Sequence, residues 1–416
     1  MLKLTKIAVA ALVLAGAMAA SAGEVEVLHF WTSGGEAKSA AELKRIMESK
    51  GHTWRDFAVA GGGGDSAMTV LKSRVVSGNP PSAAQVKGPA IQEWAAEGVL
   101  SDMNALAKAE KWDDVLPKVV ADVMKYKGSY VAAPVNVHRV NWLWASSDAL
   151  KKAGVAAMPK TWDEFFAAAD KLKAAGLIPL AHGGQNWQDF TTFESVVLGV
   201  GGAKFYQDAL VKLNGEALNS PTMRKSLETF RRIKTYTDPA ASGRDWNLAT
   251  AMLIQGKAGF QLMGDWAKGE FIAAGKTPGK DFMCAAAPGT ADAFTFNVDS
   301  FILFKLKDAS ARKAQSDLAS SLMSPEFQEV FNLNKGSIPV RTGMRMDKFD
   351  DCAKLSSKNF IDSAKTGGLV PSVAHGMAIA PATEGAIKDV VSRFWNDDKL
   401  SVADAMQKLA VAAKTK

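Results

Sequence analysis

Polar and apolar positions alternate in residues 24–30 (EVEVLHF), which predicts a strand. The period then lengthens. Leu43, Ile46 and Met47 fall on one face of a helix expected over 37–49, with Gly51 as its stop. Residues 53–60 read as strand, 66–77 as helix ending at Gly78 before Pro80-Pro81, and 83–87 as strand. This β-α-β-α-β rhythm predicts a mostly parallel sheet with helices on both faces. Further on, Thr161 and Glu164 form a capping box that opens a helix running to Gly176. Ser220-Pro221 and Ser324-Pro325 each start another helix, with serine as cap and proline in the first turn. Two amphipathic helices, 382–395 and 400–413, close the chain. Strand-like segments at 129–136, 294–304 and 335–341 are candidate crossings between two α/β domains.

The start of the chain sets its compartment. Lys3 and Lys6 precede an apolar run from Ile7 to Ala20, and Ala20-Ser21-Ala22 gives a small-residue cleavage site. The run is shorter than the roughly 20 apolar residues a spanning helix needs. A signal peptide over residues 1–22, cleaved after Ala22, is expected. No cysteine follows it to carry a lipid, so a free periplasmic protein is expected. The formal charge of +7 includes the two leader lysines and is dispersed, which argues against nucleic-acid binding. The remaining length is too great for one core and suits two domains. Cys284 and Cys352 are the only cysteines. After export they are expected to form a disulfide, the alternative being two buried thiols.

Several patterns imitate catalysis. Gly61–Gly64 follows a strand and precedes a helix, and Gly62, Gly64 and Ala67 fit G-x-G-x-x-A. Residues 68–92 contain no acid to hold a ribose, and no Gly-Lys-Ser/Thr follows. A tight turn whose backbone approaches a small ligand fits better. The five histidines lack metal-ligand spacing, so neither metal nor cofactor is expected. Acids are plentiful, so the sequence is compatible with a carboxylate pair for glycoside hydrolysis.

Two of the eleven tryptophans occupy unusual places. Trp31 ends the first strand in F-W-T-S-G-G-E, and Trp266 follows strand-like 257–263 in M-G-D-W-A-K-G. Strand-to-helix turns line the ligand crevice of open α/β sheets. Indole faces suit the C–H faces of a sugar ring, and planar polar groups suit its hydroxyl edge.

The chain resembles the extracellular solute-binding proteins of sugar ABC transporters, and most closely periplasmic glucose-binding proteins of Pseudomonas-type bacteria. The segments carrying the resemblance are VLHFWTSGGE (27–36), VAGGGGDSA (59–67), SGNPPSAAQVKG (77–88), APVNVHRVNWLW (133–144), PKTWDEF (159–165), QGKAGFQLMGDW (255–266) and NKGSIPVRTG (334–343). The resemblance implies an α/β, two-lobed periplasmic binding protein fold with a three-segment hinge and the ligand cleft between lobes. Lobe 1 would be residues 23–133 plus 297–337, and lobe 2 residues 134–296 plus 338–416. It also implies a monosaccharide, D-glucose, as ligand, membrane permease subunits as partners, a monomer, and binding without catalysis.

By motif, the resemblance sets Trp31 and Trp266 against the ring. Glu36 and Asp299 become hydroxyl acceptors, Lys87 and Lys335 donors, and His375 a contact from the second lobe. His138 and Asn186 are weaker members of the set. Read alone, the lysines and acids fit surface ion pairs, and His375 a structural histidine. The alternatives are another neutral carbohydrate (a disaccharide, xylose, mannose or galactose) on the same fold, or a secreted glycosidase.

Overall fold

The structure is a computed structural model and describes residues 22–415. The signal peptide expected over 1–22 lies outside the described residues except for Ala22. Among the described residues no helix is long and apolar enough to cross a membrane.

The first body is built on a five-stranded sheet in the order Thr53–Ala58, Glu24–His29, Ala83–Gln85, Ser300–Leu303, Ala132–Pro134. The three strands nearest the N-terminus run parallel, as the β-α-β rhythm predicts. Ser300–Leu303 runs antiparallel to both its neighbours, so Ala132–Pro134 points the same way as the first three strands and the sheet is mixed through one reversed strand. Both arrive from distant parts of the chain, and local periodicity carries no information on their direction. Helices α1 (Gly34–Ser49) and α2 (Asp65–Val76) connect the parallel strands. Val25, Val27, Leu28, Leu43 and Met47 are fully buried between sheet and helix.

The second body holds a four-stranded sheet, Phe282–Ala286, Trp142–Ser146, Ala258–Leu262, Ile178–Leu180, and a three-stranded one, Leu369–Pro371, Phe294–Asn297, His138–Arg139. Three of its helices frame the site: α3 (Asn186–Tyr206), α4 (Ala267–Ala273) and, after α5 (Pro325–Lys335) of the first body, α6 (Pro381–Asn396). Phe190 and Phe193 of α3 pack with Phe230 and with Ile387, Val391 and Phe394 of α6 in its core. The expected caps are present. Thr161 Oγ1 accepts from Glu164 N at 3.2 Å, and Ser324 Oγ accepts from Phe327 N at 3.2 Å.

The candidate crossings resolve differently. Residues 294–304 are not one strand. Phe294–Asn297 pairs in the second body and Ser300–Leu303 in the first, and the break falls at Val298-Asp299. Residues 335–341 form no strand. Lys335 ends α5, Gly336 turns with φ 89°, and the segment joins the first crossing and its continuation through the bridge Val137–Ile338 and through Asn136 Nδ2, which donates to Ser337 Oγ at 3.0 Å. Residues 338–342 stay on the first body: Val340 N donates to Gln328 Oε1 at 2.8 Å and Thr342 N to Val115 O at 2.8 Å.

Cys284 and Cys352 are bonded, tying the helix Asp351–Thr366 to the strand Phe282–Ala286 across 68 residues of chain. In the chain-entropy account a loop of that length contributes about 4 kcal/mol. Replacing both cysteines by alanine should lower the unfolding free energy by about that amount in denaturant titrations. An unchanged midpoint would contradict a stabilising role.

Candidate functional site: the cleft between the bodies

A cavity of about 310 Å3 lies where the two bodies meet. Its walls come mostly from the ends of strands. Phe30, Trp31, Thr32 and Ser33 follow the first strand, and Ala60, Gly61, Gly63 and Gly64 follow the second. Gly61, Gly63 and Gly64 have φ of 105°, 61° and 114°, so the glycine run turns sharply from strand into α2. It lines the cavity with backbone.

Of the nine residues singled out, Trp31, Glu36, Lys87, His138, Trp266, Asp299, Lys335 and His375 line this cavity. Asn186 does not. It stands at the start of α3 and faces an adjoining cavity of about 350 Å3. Trp187, Trp246, Asn247 and Asn297 line the first cavity and were not singled out. Trp187 satisfies the criterion that selected Trp31 and Trp266, because a strand (Ile178–Leu180) and a turn precede its helix. Trp246 follows no strand, and nothing in its local sequence marks it.

The polar wall is organised by pairing. Lys335 Nζ donates to Glu36 Oε1 at 2.6 Å, while Glu36 Oε2 accepts the Thr32 and Ser33 N–H groups at 3.3 Å each. Glu36 therefore fixes the turn carrying Trp31 and holds Lys335 at the wall. His138 stands between two buried carboxylates. Its Nδ1 contacts Asp265 Oδ1 and its Nε2 lies 3.0 Å from Asp299 Oδ2. Asp265 also accepts the Arg139 N–H at 2.9 Å and so fixes the turn that carries Trp266.

Burial opposes charge on His138, but Asp265 and Asp299 outweigh it and raise its pKa above 6.5. The imidazolium donates to a carboxylate from each nitrogen. Burial likewise opposes charge on Asp299, yet His138, then Lys335 and Lys87, hold it far below the ordinary carboxylate range. Asp299 is a permanently ionised acceptor. Burial lowers the pKa of Lys87, aided by Lys335 and Lys388 and opposed by Asp299 and Glu384. Lys87 has no salt-bridge partner among the described residues; its ammonium lies 5.3 Å from the Phe30 ring centroid. His375 is driven well below 6.5 by burial, then by Lys87, His138 and Lys388. It is neutral, with Nε2 3.0 Å from Thr191 Oγ1.

The His375 loop is held from behind. Glu194 of α3 accepts from Ser372 Oγ at 2.6 Å and from the N–H groups of Val373 at 2.9 Å and Ala374 at 3.1 Å. Four aromatic rings gather at the cavity: Trp266 lies 4.9 Å from His375 and 5.2 Å from His138, centroid to centroid, and Trp187 lies 6.4 Å from Trp266. Trp31 Nε1, Ser33 Oγ and Asn297 Oδ1 are buried beside the cavity with no hydrogen-bond partner among the described residues. Buried polar atoms are rarely left so, and these three converge on the same space. The other histidines are structural: His29, His52 and His182 bind Asp56, Asp317 and Asp189. Among the described residues no group of acids, histidines and cysteines could hold a metal.

The raised pKa of His138 has a definite thermodynamic sign. The folded state holds the proton more tightly than the unfolded chain does. The stabilisation is complete below about pH 6.5 and is lost as pH rises through the folded value. His138→Gln should therefore cost about 3–5 kcal/mol near pH 6, and less near pH 9. Denaturant titrations of both proteins across that range check this, and a cost that grows with pH contradicts it.

Comparison with known proteins places this geometry in a family. A "Probable sugar-binding periplasmic protein" of Brucella melitensis biotype 1 is 48% identical over 419 residues, covering 100% of this chain and 99% of the relative. A protein of the same description from Rhizobium meliloti is 47% identical, covering 99% and 98%. Among solved structures, a chitin oligosaccharide binding protein superposes with a TM-score of 0.80 at 18% identity, covering 95% of this chain and 99% of that one. That similarity shows the two-lobed fold alone. Residues 45–315 match the bacterial extracellular solute-binding protein family, and the chain belongs to it.

Proposed function

We propose that this protein is the periplasmic sugar-binding component of an ABC importer. It holds one monosaccharide, D-glucose, in the interlobe cleft and delivers it to the membrane permease. The observation that carries the proposal is the composition of the cavity wall. Indoles lie beside a buried ionised acceptor (Asp299), two ammonium groups (Lys87, Lys335) and a neutral imidazole (His375). Such a wall matches apolar ring faces rimmed by hydroxyls. The volume sits at the small end of the roughly 300–1,000 Å3 of ligand pockets, which favours one ring. Relatives that cover the full chain are described as sugar-binding and periplasmic, in agreement with export by the N-terminal leader.

Other readings fit less well. An amino-acid binder is expected to clamp the α-carboxylate with an arginine, and no arginine lines the cavity. A glycosidase needs one carboxyl that carries a proton and another that does not. Here Asp299 is held ionised and Glu36 is paired with Lys335.

The protein acts as a monomer of two lobes. The lobes are 23–133 plus 297–337 and 134–296 plus 338–416, except that residues 338–342 pack on lobe 1. The contacts of 338–342 carry the third crossing on towards Asp350. The sugar favours the closed arrangement by contacting both lobes at once. Contacts available to that arrangement are Gly35 N donating to Glu270 Oε1 at 2.7 Å and Lys388 Nζ at 3.3 Å from Asp65 Oδ2.

Calorimetry should show D-glucose binding that Asp299→Ala weakens by about tenfold or more, the worth of one hydrogen bond to a charged group, and that Trp266→Ala weakens by removing the apolar platform for the ring. Unchanged affinity in both variants would overturn the site. In a thermal-shift screen, D-glucose should raise the melting temperature most. A larger shift with maltose or xylose would overturn the choice of sugar and leave the family intact.

A further inference from the structure

We propose that Trp187 is a partition that restricts the cleft to a single sugar ring. This rests on the single-monosaccharide function proposed above. The cleft contains two adjoining cavities, of about 310 and 350 Å3. Both are lined by Phe30, Gly63, Gly64, Lys87, Trp187 and His375. These shared residues form the wall between them. Its two halves come from different bodies: Phe30, the glycines and Lys87 follow strands of the first sheet, while Trp187 and His375 belong to the second body.

Trp187 is the largest side chain in that wall, and it is held rigidly. Its Nε1 donates to Gln185 Oε1 at 2.7 Å. Its ring centroid is 5.7 Å from His375 and 6.4 Å from Trp266. On the far side it presses on the glycine turn, where a Cβ at Gly63 would come within 3.0 Å of Trp187 Cγ. Only glycine backbone lets the indole approach so closely, so the glycine run and Trp187 fit each other across the cleft. Trp187 is only 4% exposed although it borders two cavities.

The space behind the partition is polar as well as roomy. Lys388 stands there between Glu384 and Asp65, 3.3 Å from an oxygen of each. Asn186, which misses the first cavity, lines this second one. Removing the indole would join the two and roughly double the room. A ring occupying the first cavity could then carry a second ring on its side facing Asn186. Specificity for one ring would thus arise from a steric block rather than from an added attraction.

The test is calorimetry on wild type, Trp187→Ala and Trp187→Leu with a panel of monosaccharides and disaccharides including D-glucose and maltose. Circular dichroism checks that each variant is folded, and Trp187→Leu serves should the alanine variant fail to fold. Wild type should prefer a monosaccharide. The variants should shift the disaccharide-to-monosaccharide affinity ratio by at least about tenfold, the lower end of what one misfit methylene costs. Met68→Trp, which narrows only the second cavity, should leave the wild-type monosaccharide affinity unchanged and abolish the gain in the Trp187→Ala background. A wild type that prefers a monosaccharide, alongside folded variants with an unshifted ratio, overturns the partition alone. A wild type that binds a disaccharide equally well, or no monosaccharide of the panel, overturns the single-ring function and the partition with it.

Discussion

The line of buried charge Asp265–His138–Asp299 is the constraint on which the rest of the cleft depends. His138 lies just past the first crossing, Asp299 at the break in the second, and Asp265 on the turn that presents Trp266. One imidazolium therefore sets the position of two crossings and a ring platform. All three side chains are buried. Opposite unit charges about 4 Å apart interact by about 4 kcal/mol at an effective dielectric of 20, whereas desolvation costs each ion several. The group persists because each charge has its partner. Removing any one leaves another stranded.

The same line gives the cavity its chemistry. Asp299 stays ionised, so it can only accept hydrogen bonds. Lys335 is already engaged by Glu36, and Lys87 faces the cleft without a carboxylate of its own. His375 is neutral beside them. A neutral ligand rich in hydroxyls satisfies such a wall without bringing in another charge. The indoles exclude water from the faces that need no hydrogen bonds.

Much of the fold is legible in the sequence because it is locally encoded. Capping residues at Thr161, Ser220 and Ser324 start their helices as expected, and the first three strands and two helices follow the periodicity of their own residues. Strand direction beyond them is not local. Ser300–Leu303 enters the first sheet reversed, and Ala132–Pro134 pairs antiparallel to it, because of where the chain returns from. The crossing at 294–304 reads as one apolar strand, since each half is buried and pairing alone divides it. The site shows the same split. Trp31 and Trp266 are visible as tryptophans at turns, and family motifs supply Glu36, Lys87, Lys335 and His375. Asn186 was singled out while its neighbour Trp187 borders the first cavity, a distinction that depends on which way the first turn of α3 faces. Nothing local marks Asp265, because its role is to hold His138 and the Trp266 turn, a contact spanning 127 residues.

A crystal structure of the protein with D-glucose tests the central claim most directly. The account predicts one pyranose ring in the cavity between the bodies, with a face against Trp266. A ring hydroxyl should donate to Asp299, whose other contact remains His138. A sugar bound elsewhere, or one in the cleft that leaves Asp299 without a ligand contact, would contradict it.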